Sequence, residues 1–587
     1  MKQFFKFMFA SCLGSALMLI ILFIITLCMV SSSSKNTVTV KPQTVLYMNL
    51  NYEIPERTTE TDFTAALMGL QNGDSDNSGL NDIIANIDYA KNDPNISGIF
   101  LELSSVGTST ANIEELRHHI VSFRESGKFV ITYSETMAQN AYYLATAGDE
   151  IYINPDGMLD IHGMASQIMF YKNLLDKLDI EIQIIRGPNN RFKSAVEPYF
   201  LDKMSDANRE QMTKLLNSMW YQVVSDINAS RGISIERINE LADNLSLTFD
   251  AKVALDEHFV DGLYYRDQII ARIKELANID NSKKINILTN SQYASARPTP
   301  KAKANKIAVI YANGQIIDGE GNDNTIGSIT LSKAIREARE NKKVKAIVMR
   351  VNSPGGSALA SEVIRREVEL AKAEKPFIIS MGSYAASGGY WISSEGDRIF
   401  ADPTTLTGSI GVFGTFPNAK KFLNETVGLT FDVVKTNENA DFGTITEPLT
   451  DYQKAMLQKY VGNTYNDFTS LVARTRGLRQ SYVDSIGQGR VWAGVDALEL
   501  GLVDELGGLD KAIEYAAQAA NLTDYSIKDY PKQESFMDML MKGSVQEPYA
   551  NALLKKRLGN NYKYIETVEN ITKVDGVQAL MPFMIVE

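Results

Sequence analysis

The order strand, helix, strand, helix, strand occurs twice in this chain, and that repetition limits the fold more than any single motif does. The first run is a strand at Thr44-Val45-Leu46-Tyr47-Met48, a helix near Leu80 to Lys91, a strand at Gly98 to Leu103, a helix near Ile113 to Glu125 and a strand at Phe129 to Thr132. After residue 306 come a strand at Ile307 to Tyr311, a helix near Leu331 to Asn341, a strand at Ala346 to Val351, an amphipathic helix from about Ser357 to Lys372 and a strand at Phe377 to Ser380. Short apolar runs alternating with amphipathic segments of helical length predict an α/β fold, here built twice. Gly98-Ile99-Phe100-Leu101-Glu102-Leu103 falls on Ala346-Ile347-Val348-Met349-Arg350-Val351 at a spacing of 248, which also places Tyr142 on Tyr390. Near the end of each half, Val260-Asp261-Gly262 resembles Val503-Asp504-Glu505.

Between the halves, Asn281 to Asn305 is rich in Lys, Ser, Pro and Ala and reads as an exposed linker. The expected division is an amino-terminal tip and anchor (1–35), a first repeat (36–290), a linker (291–305), a second repeat (306–521) and a tail (522–587). The tail closes on a mostly apolar segment, Leu580 to Val586, to which the sequence assigns no chemistry.

The differences between the copies carry the chemistry. In the second, Phe377-Ile378-Ile379 leads through Ser380-Met381-Gly382-Ser383-Tyr384 into Ala385-Ala386-Ser387-Gly388-Gly389-Tyr390-Trp391, which reads as a buried strand, a tight turn and a helix start. Small residues on both sides of Ser387 let a substrate approach its hydroxyl, and a helix starting here aims free N–H groups at a developing negative charge. A serine in a close-packed turn is the plainer reading. The segment is not a Gly-x-Ser-x-Gly elbow, because Ala385 stands where the first Gly would be. Upstream, Asn352-Ser353-Pro354-Gly355-Gly356 reads as a turn whose N–H groups can face an oxyanion, or as an ordinary tight turn. Downstream, Ser409 is a hydroxyl in a Gly-punctuated strand, where bonding to nearby backbone is the alternative.

In the first copy, Gln139 stands at the position of Ser387. Conversely, Phe192-Lys193-Ser194-Ala195-Val196-Glu197-Pro198 aligns with Phe442-Gly443-Thr444-Ile445-Thr446-Glu447-Pro448 at a spacing of 250, so Lys193 faces a Gly. Each half keeps one component of a single site.

A serine nucleophile needs a partner to take its proton. All four histidines lie in the first half. His118 and His119 fall on a polar helix, where a solvated role is expected, and His162 and His258 match Ile410 and Gly501, so a Ser-His-Asp triad is unsupported. Lys193 serves as a base only if burial lowers its pKa well below about 10.4; otherwise it is a surface charge.

The motifs Ala-Ala-Ser-Gly-Gly-Tyr at 385–390, Lys-Ser-Ala-Val-Glu-Pro at 193–198 and Thr-Gly-Ser-Ile-Gly at 407–411 resemble those of the signal peptide peptidase A family of membrane-bound bacterial serine peptidases, over nearly the whole chain after the first 40 residues. The resemblance implies two tandem Clp-protease/crotonase-like repeats and a Ser/Lys dyad. Ser387 would be the nucleophile and Lys193 the base. Ser409 would orient the lysine, and the amides of Gly388 and Gly356, or Gly355 in its place, would form the oxyanion hole. It implies cleaved signal peptides and other extended apolar peptides as substrates, no metal or nucleotide cofactor, and a homo-oligomer such as a tetramer enclosing a bowl. Two rivals are a crotonase-type acyl-CoA enzyme and a catalytically silent membrane scaffold that binds peptides.

A net charge of -12 argues against nucleic acid as a partner. Lys2 and Lys6 precede an uncharged run from Phe7 to Val30, which spans roughly 36 Å as a helix and is long enough to cross a bilayer. It reads as a membrane anchor, with a cleaved signal peptide as the competing reading. Positive charge before the span places the amino terminus in the cytoplasm and the rest outside it, which with the resemblance implies the periplasmic side of a bacterial inner membrane. Cys12 and Cys28 both lie in this segment, so the folded part has no thiol for a disulfide or a metal.

Overall fold

The computed structural model describes residues 38–58, 78–298, 302–533, 576–582 and 585–586, with a few positions between Leu13 and Ile21. The expected anchor, Phe7 to Val30, lies almost wholly outside the described residues. Among those described, no helix is long and apolar enough to cross a membrane.

The first repeat is a six-stranded parallel sheet. Its inner strands are β1 (Thr44–Asn49), β2 (Ile96–Glu102), β3 (Phe129–Ala138) and β4 (Glu150–Asp160), adjacent in that order. Gly262–Leu263 flanks β4 and Asn286–Thr289 flanks β1. Ile99, Phe100 and Leu101 are all buried, as strands covered by helices on both faces must be. Helix α1 (Leu80–Asn92) buries Ile83, Ile87 and Ala90, one stripe at helical spacing.

On helix α2 (Thr110–Arg124) His118 is exposed as expected, but His119 is buried. Glu114, Glu115, Arg117 and His119 on it are buried: Glu114 and Glu115 face Thr404 and Arg350 of the second repeat, and Arg117 donates to Tyr143 O within the first. Glu115 Oε2 lies 2.7 Å from the Arg350 guanidinium, which also pairs with Glu56 at 2.9 Å. His119 contacts Asp88 at 2.8 Å and lies 3.8 Å from Asp510. Buried ions are tolerated when each has a partner, and the partners of Arg350 come from the opposite repeat.

Strand β5 (Glu181–Arg186) leaves the first sheet, and helix α3 (Asp206–Arg231) follows it. Part of the expected linker is built into the first repeat. Asn286–Thr289 pairs with β1, and α4 (Asn290–Ala296) follows behind a Thr289/Gln292 capping box and buries Tyr293. Asn86 Nδ2 donates to Asn290 Oδ1 at 2.6 Å. Polar composition concealed these elements, since their burial rests on amide pairing and one tyrosine.

The second repeat repeats the plan with β6 (Lys306–Asn313), β7 (Val344–Ser353), helix α5 (Ala358–Lys372), β9 (Phe377–Ala386), helix α6 (Gly388–Ser393) and β10 (Leu406–Gly408). Val491–Ala493 pairs antiparallel with β10, and Ser526–Tyr530, just inside the expected tail, completes the opposite edge beside β6. The expected turn at Gly355-Gly356 is instead the short strand β8 (Gly355–Ser357), parallel to Gln315–Ile317.

A third sheet joins everything. Its order is Thr325–Gly327, Gln315–Ile317, β8, β12 (Gly576–Leu580), β11 (Phe413–Asn418), β5. The pairing of β5 with β11, from Arg186 opposite Phe413 to Glu181 opposite Asn418, ties the first repeat to the second beside Ser409.

Candidate active site

Ser387 lies between the end of β9 and the start of α6, with φ 55° and ψ -110°. This is a costly backbone conformation for a residue with a side chain, of a kind that collects at functional sites. Ser387 N donates to Gly408 O at 2.8 Å, which pins the bend. The glycines beyond it are needed for packing: a Cβ on Gly389 would lie 2.6 Å from Ser353 O, and one on Gly388 would lie 2.7 Å from Ser361 Oγ.

Lys193 arrives from the first repeat. Past β5 the chain turns through Gly187 to Arg191, where Phe192 N donates to Gln488 O at 3.0 Å. Gln211 on α3 donates to Phe192 O at 3.1 Å and to Ser194 Oγ at 2.8 Å. Its Oε1 accepts from Val491 N at 3.3 Å, so one amide holds the lysine loop against the second repeat. Glu197 accepts from Ser205 Oγ at 2.6 Å and Asn208 Nδ2 at 2.9 Å, fixing the turn after the lysine. Gly489 closes the other side. At φ 86° a Cβ there would lie 2.5 Å from Lys193 Cβ.

The lysine Nζ reaches 2.9 Å from Ser387 Oγ, 3.0 Å from Ser409 Oγ and 3.2 Å from Ser409 O. Ser409 Oγ donates to Gly489 O at 3.3 Å. Lys193, Ser387 and Ser409 are all fully buried. Burial holds the Lys193 amine well below the usual lysine range, and no carboxylate pairs with it among the described residues. The structure therefore brings together Lys193, Ser387 and Ser409. Gly388 stands next to them, and Gly355, more than Gly356, comes against it: a Cβ on Gly355 would lie 2.7 Å from Gly388 N, whereas one on Gly356 would meet Ile316 O. His162 sits apart, exposed beside Asp160 at 3.1 Å.

Sequence reasoning missed Gln211 and Gly489. The Gly487-Gln488-Gly489 spacing was the visible signal for Gly489. Nothing local marks Gln211, whose role depends on three segments meeting.

A serine hydroxyl beside a fully buried amine, on a strained strand-to-helix bend in an α/β frame, is the arrangement of a serine hydrolase. The family model described as Peptidase family S49 matches residues 122–280 and 369–523, one segment in each repeat. Protease 4 of Salmonella typhi is 38% identical over 498 residues, covering 83% of this chain and 80% of that protein. Protease 4 of Haemophilus influenzae is 34% identical over 87% of this chain and 85% of its own length. The chloroplastic serine protease SPPA of Arabidopsis thaliana is 30% identical over 86% of this chain and 74% of its own. The chain belongs to Peptidase family S49 and is a serine protease.

Proposed function

We propose that the chain is a membrane-anchored endopeptidase in which Ser387 is the nucleophile and Lys193 the general base, and that it degrades cleaved signal peptides and other extended apolar peptides. The observation that carries this reading is the 2.9 Å contact between a fully buried amine and the Ser387 hydroxyl. A neutral amine has two N–H groups and one lone pair. The two Ser409 oxygens can accept the N–H groups, which leaves the lone pair for the Ser387 proton.

In the first step Lys193 takes that proton and Oγ attacks the substrate carbonyl carbon. The Gly388 amide and one from the Gly355-Gly356 strand stabilise the oxyanion, Gly356 in the original expectation and Gly355 by its closeness to Gly388. The Lys193 ammonium then protonates the leaving amine, and the acyl group stays on Ser387. Lys193 next deprotonates water, which attacks the ester and frees the acid and the serine. Ser409 orients the amine throughout.

Labelling with a fluorophosphonate and mapping of the adduct tests the reading. Modification of Ser387 in wild type, and none in Lys193→Met, is expected; an adduct on another serine would sink it. The anchor, the inner-membrane site and the periplasmic orientation rest on Phe7 to Val30 and its flanking lysines. Protease added to spheroplasts should digest the folded part, and protection that ends on lysis would reverse the orientation. The homo-oligomer is tested by light scattering of the detergent-solubilised protein.

A further inference from the structure

The first repeat keeps the frame of the catalytic site without its chemistry. In the second repeat Tyr384, Ala385 and Ala386 of β9 pair in parallel with Leu406, Thr407 and Gly408 of β10, and Ser387 follows. In the first, Thr136, Met137 and Ala138 of β3 pair in parallel with Met158, Leu159 and Asp160 of β4, each residue 248 positions earlier, and Gln139 follows. The Gln139 amide ties down the next loop: its Oε1 accepts from Gly163 N at 2.9 Å and His162 N at 3.1 Å, and its Nε2 donates to Gly163 O at 3.0 Å. Asn140, at the place of Gly388, holds Val106 by both backbone groups, donating to its O at 2.6 Å and accepting from its N at 3.3 Å. Ile161 stands where Ser409 would be. Lacking a nucleophile and its base, this frame can hold a peptide but has nothing to cut it with.

A cavity of about 360 Å³ opens against that frame, large enough for a ligand and placed at the carboxyl ends of parallel strands, where α/β folds bind theirs. One wall holds Ser105, Gln139, Asn140 and Asp160 of the first repeat, the counterparts of Ser353, Ser387, Gly388 and Gly408. The facing wall holds Ser383, Tyr384 and Leu406 of the second. His162 and Asp160, with side chains 43% and 40% exposed, put the mouth in solvent. The other end approaches the nucleophile. Leu406 and Met219 cluster with Ala386, the residue before Ser387, and Tyr384 is three strand residues from Ser387, about 10 Å. Among the described residues no lysine or arginine lines the cavity, which disfavours an anionic ligand. Hydroxyls and amides interleaved with Met164, Met219 and Leu406 suit an extended apolar peptide, whose backbone needs polar partners and whose side chains need apolar ones.

We propose that this vacated site of the first repeat is a second, non-hydrolytic peptide site, which grips one part of an extended apolar peptide while Ser387 cleaves another. The proposal rests on the Ser387 reading above. Once one part of a peptide is held, binding of the other becomes intramolecular, so two weak grips act together without any new contact. The enzyme therefore favours peptides long enough to span both sites over short ones with the same scissile bond.

The test uses the detergent-solubilised full chain and two fluorogenic apolar peptides with one scissile bond in common. One has about four residues and the other about twelve, which at about 3.3 Å per residue reaches from site to site. Ser105→Trp and Thr110→Trp each fill the cavity with an indole, away from Ser387 and Lys193, and circular dichroism and melting check their folding. Wild type should show a KM about tenfold lower for the long peptide. In a folded variant that advantage should disappear, with kcat and the short peptide's KM within about twofold of wild type. No advantage in wild type, an advantage that persists in a folded variant, or an equal rise in KM for both peptides overturns the proposal. A second arm needs neither cavity variant nor turnover. The long peptide, carrying a benzophenone at one end or the other, is irradiated with the Ser387→Ala chain and the adducts are mapped. Adducts within residues 138–164, suppressed by unlabelled long peptide, are expected; adducts confined to residues 306–521, or none, overturn the proposal. Failure of the Ser387 reading shows separately, as hydrolysis that survives Ser387→Ala.

Discussion

Lys193 Nζ lies 2.9 Å from Ser387 Oγ although the two residues are 194 positions apart in the chain. One belongs to each repeat, and the contact exists because β5 pairs with β11 across the repeat boundary. The consequences of that arrangement can be measured.

Removing either member should end turnover without unfolding the protein. Ser387→Ala and Lys193→Met should each lower kcat for peptide hydrolysis by about 10⁴-fold or more, with native circular dichroism. Lys193→Arg should be equally inactive and less stable, because a guanidinium stays charged in a pocket without a carboxylate. A folded Lys193→Met protein with near wild-type kcat would remove Lys193 as the base.

Activity should rise with pH. The working form is the neutral amine, and burial places its pKa well below 10.5, so kcat/KM should climb through that depressed value on the acid side. The same shift sets a stability trend. Between the depressed folded pKa and the unfolded one the unfolded chain binds the extra proton, so stability rises with pH across that window. Melting curves of wild type against Lys193→Met should show the slope in wild type alone.

Gly489→Ala should abolish activity and retain the fold. The new methyl would press on the Lys193 stem at a positive φ, so the amine loses its place beside Ser387. Peptide hydrolysis beside circular dichroism checks this, and wild-type kcat would show that the stem has room.

Glu114 carries an opposite pH signature. It is buried, burial pushes its carboxyl up to about 8, and its Oε2 accepts from Thr404 N and Thr404 Oγ1. Because the folded pKa is raised, its contribution is full below the unfolded value and is lost as pH rises through about 8. Glu114→Gln should remove a slope on the order of 1 kcal/mol per pH unit between pH 5 and 8. Identical pH profiles of melting for the two proteins would contradict the assignment.

Arg350→Met should destabilise the repeat interface by about 3–5 kcal/mol, since Glu56 and Glu115 would be left buried beside an apolar side chain. Urea unfolding gives the magnitude. A loss below about 1 kcal/mol would mean that the two carboxylates find water or protons instead.

The repeat was legible because both copies bury parallel strands, which makes Ile99-Phe100-Leu101 and Ile347-Val348-Met349 similar apolar runs at a fixed spacing. The family was legible because the sequences around Lys193 and Ser387 are short, local and unusual. Polar segments were harder to read. Glu114, Glu115 and His119 look like a solvated helix face until Arg350, Thr404 and Asp510 are brought against them. Asn290 and Tyr293 look like linker until Asn86 and β1 cover them.

The sequence by itself determined the duplicated α/β plan and the division of a serine and a lysine between its halves, because hydrophobic periodicity and small-residue turns act over a few neighbouring residues. Tertiary structure decided the rest. Whether Lys193 is neutral depends on complete burial, which Gln211 and Gly489 help to create from distant segments. The place of Leu580 is likewise a long-range matter: it is an apolar residue in a tail until β8 and β11 pair with its strand, because backbone pairing reads shape and carries almost no sequence signal.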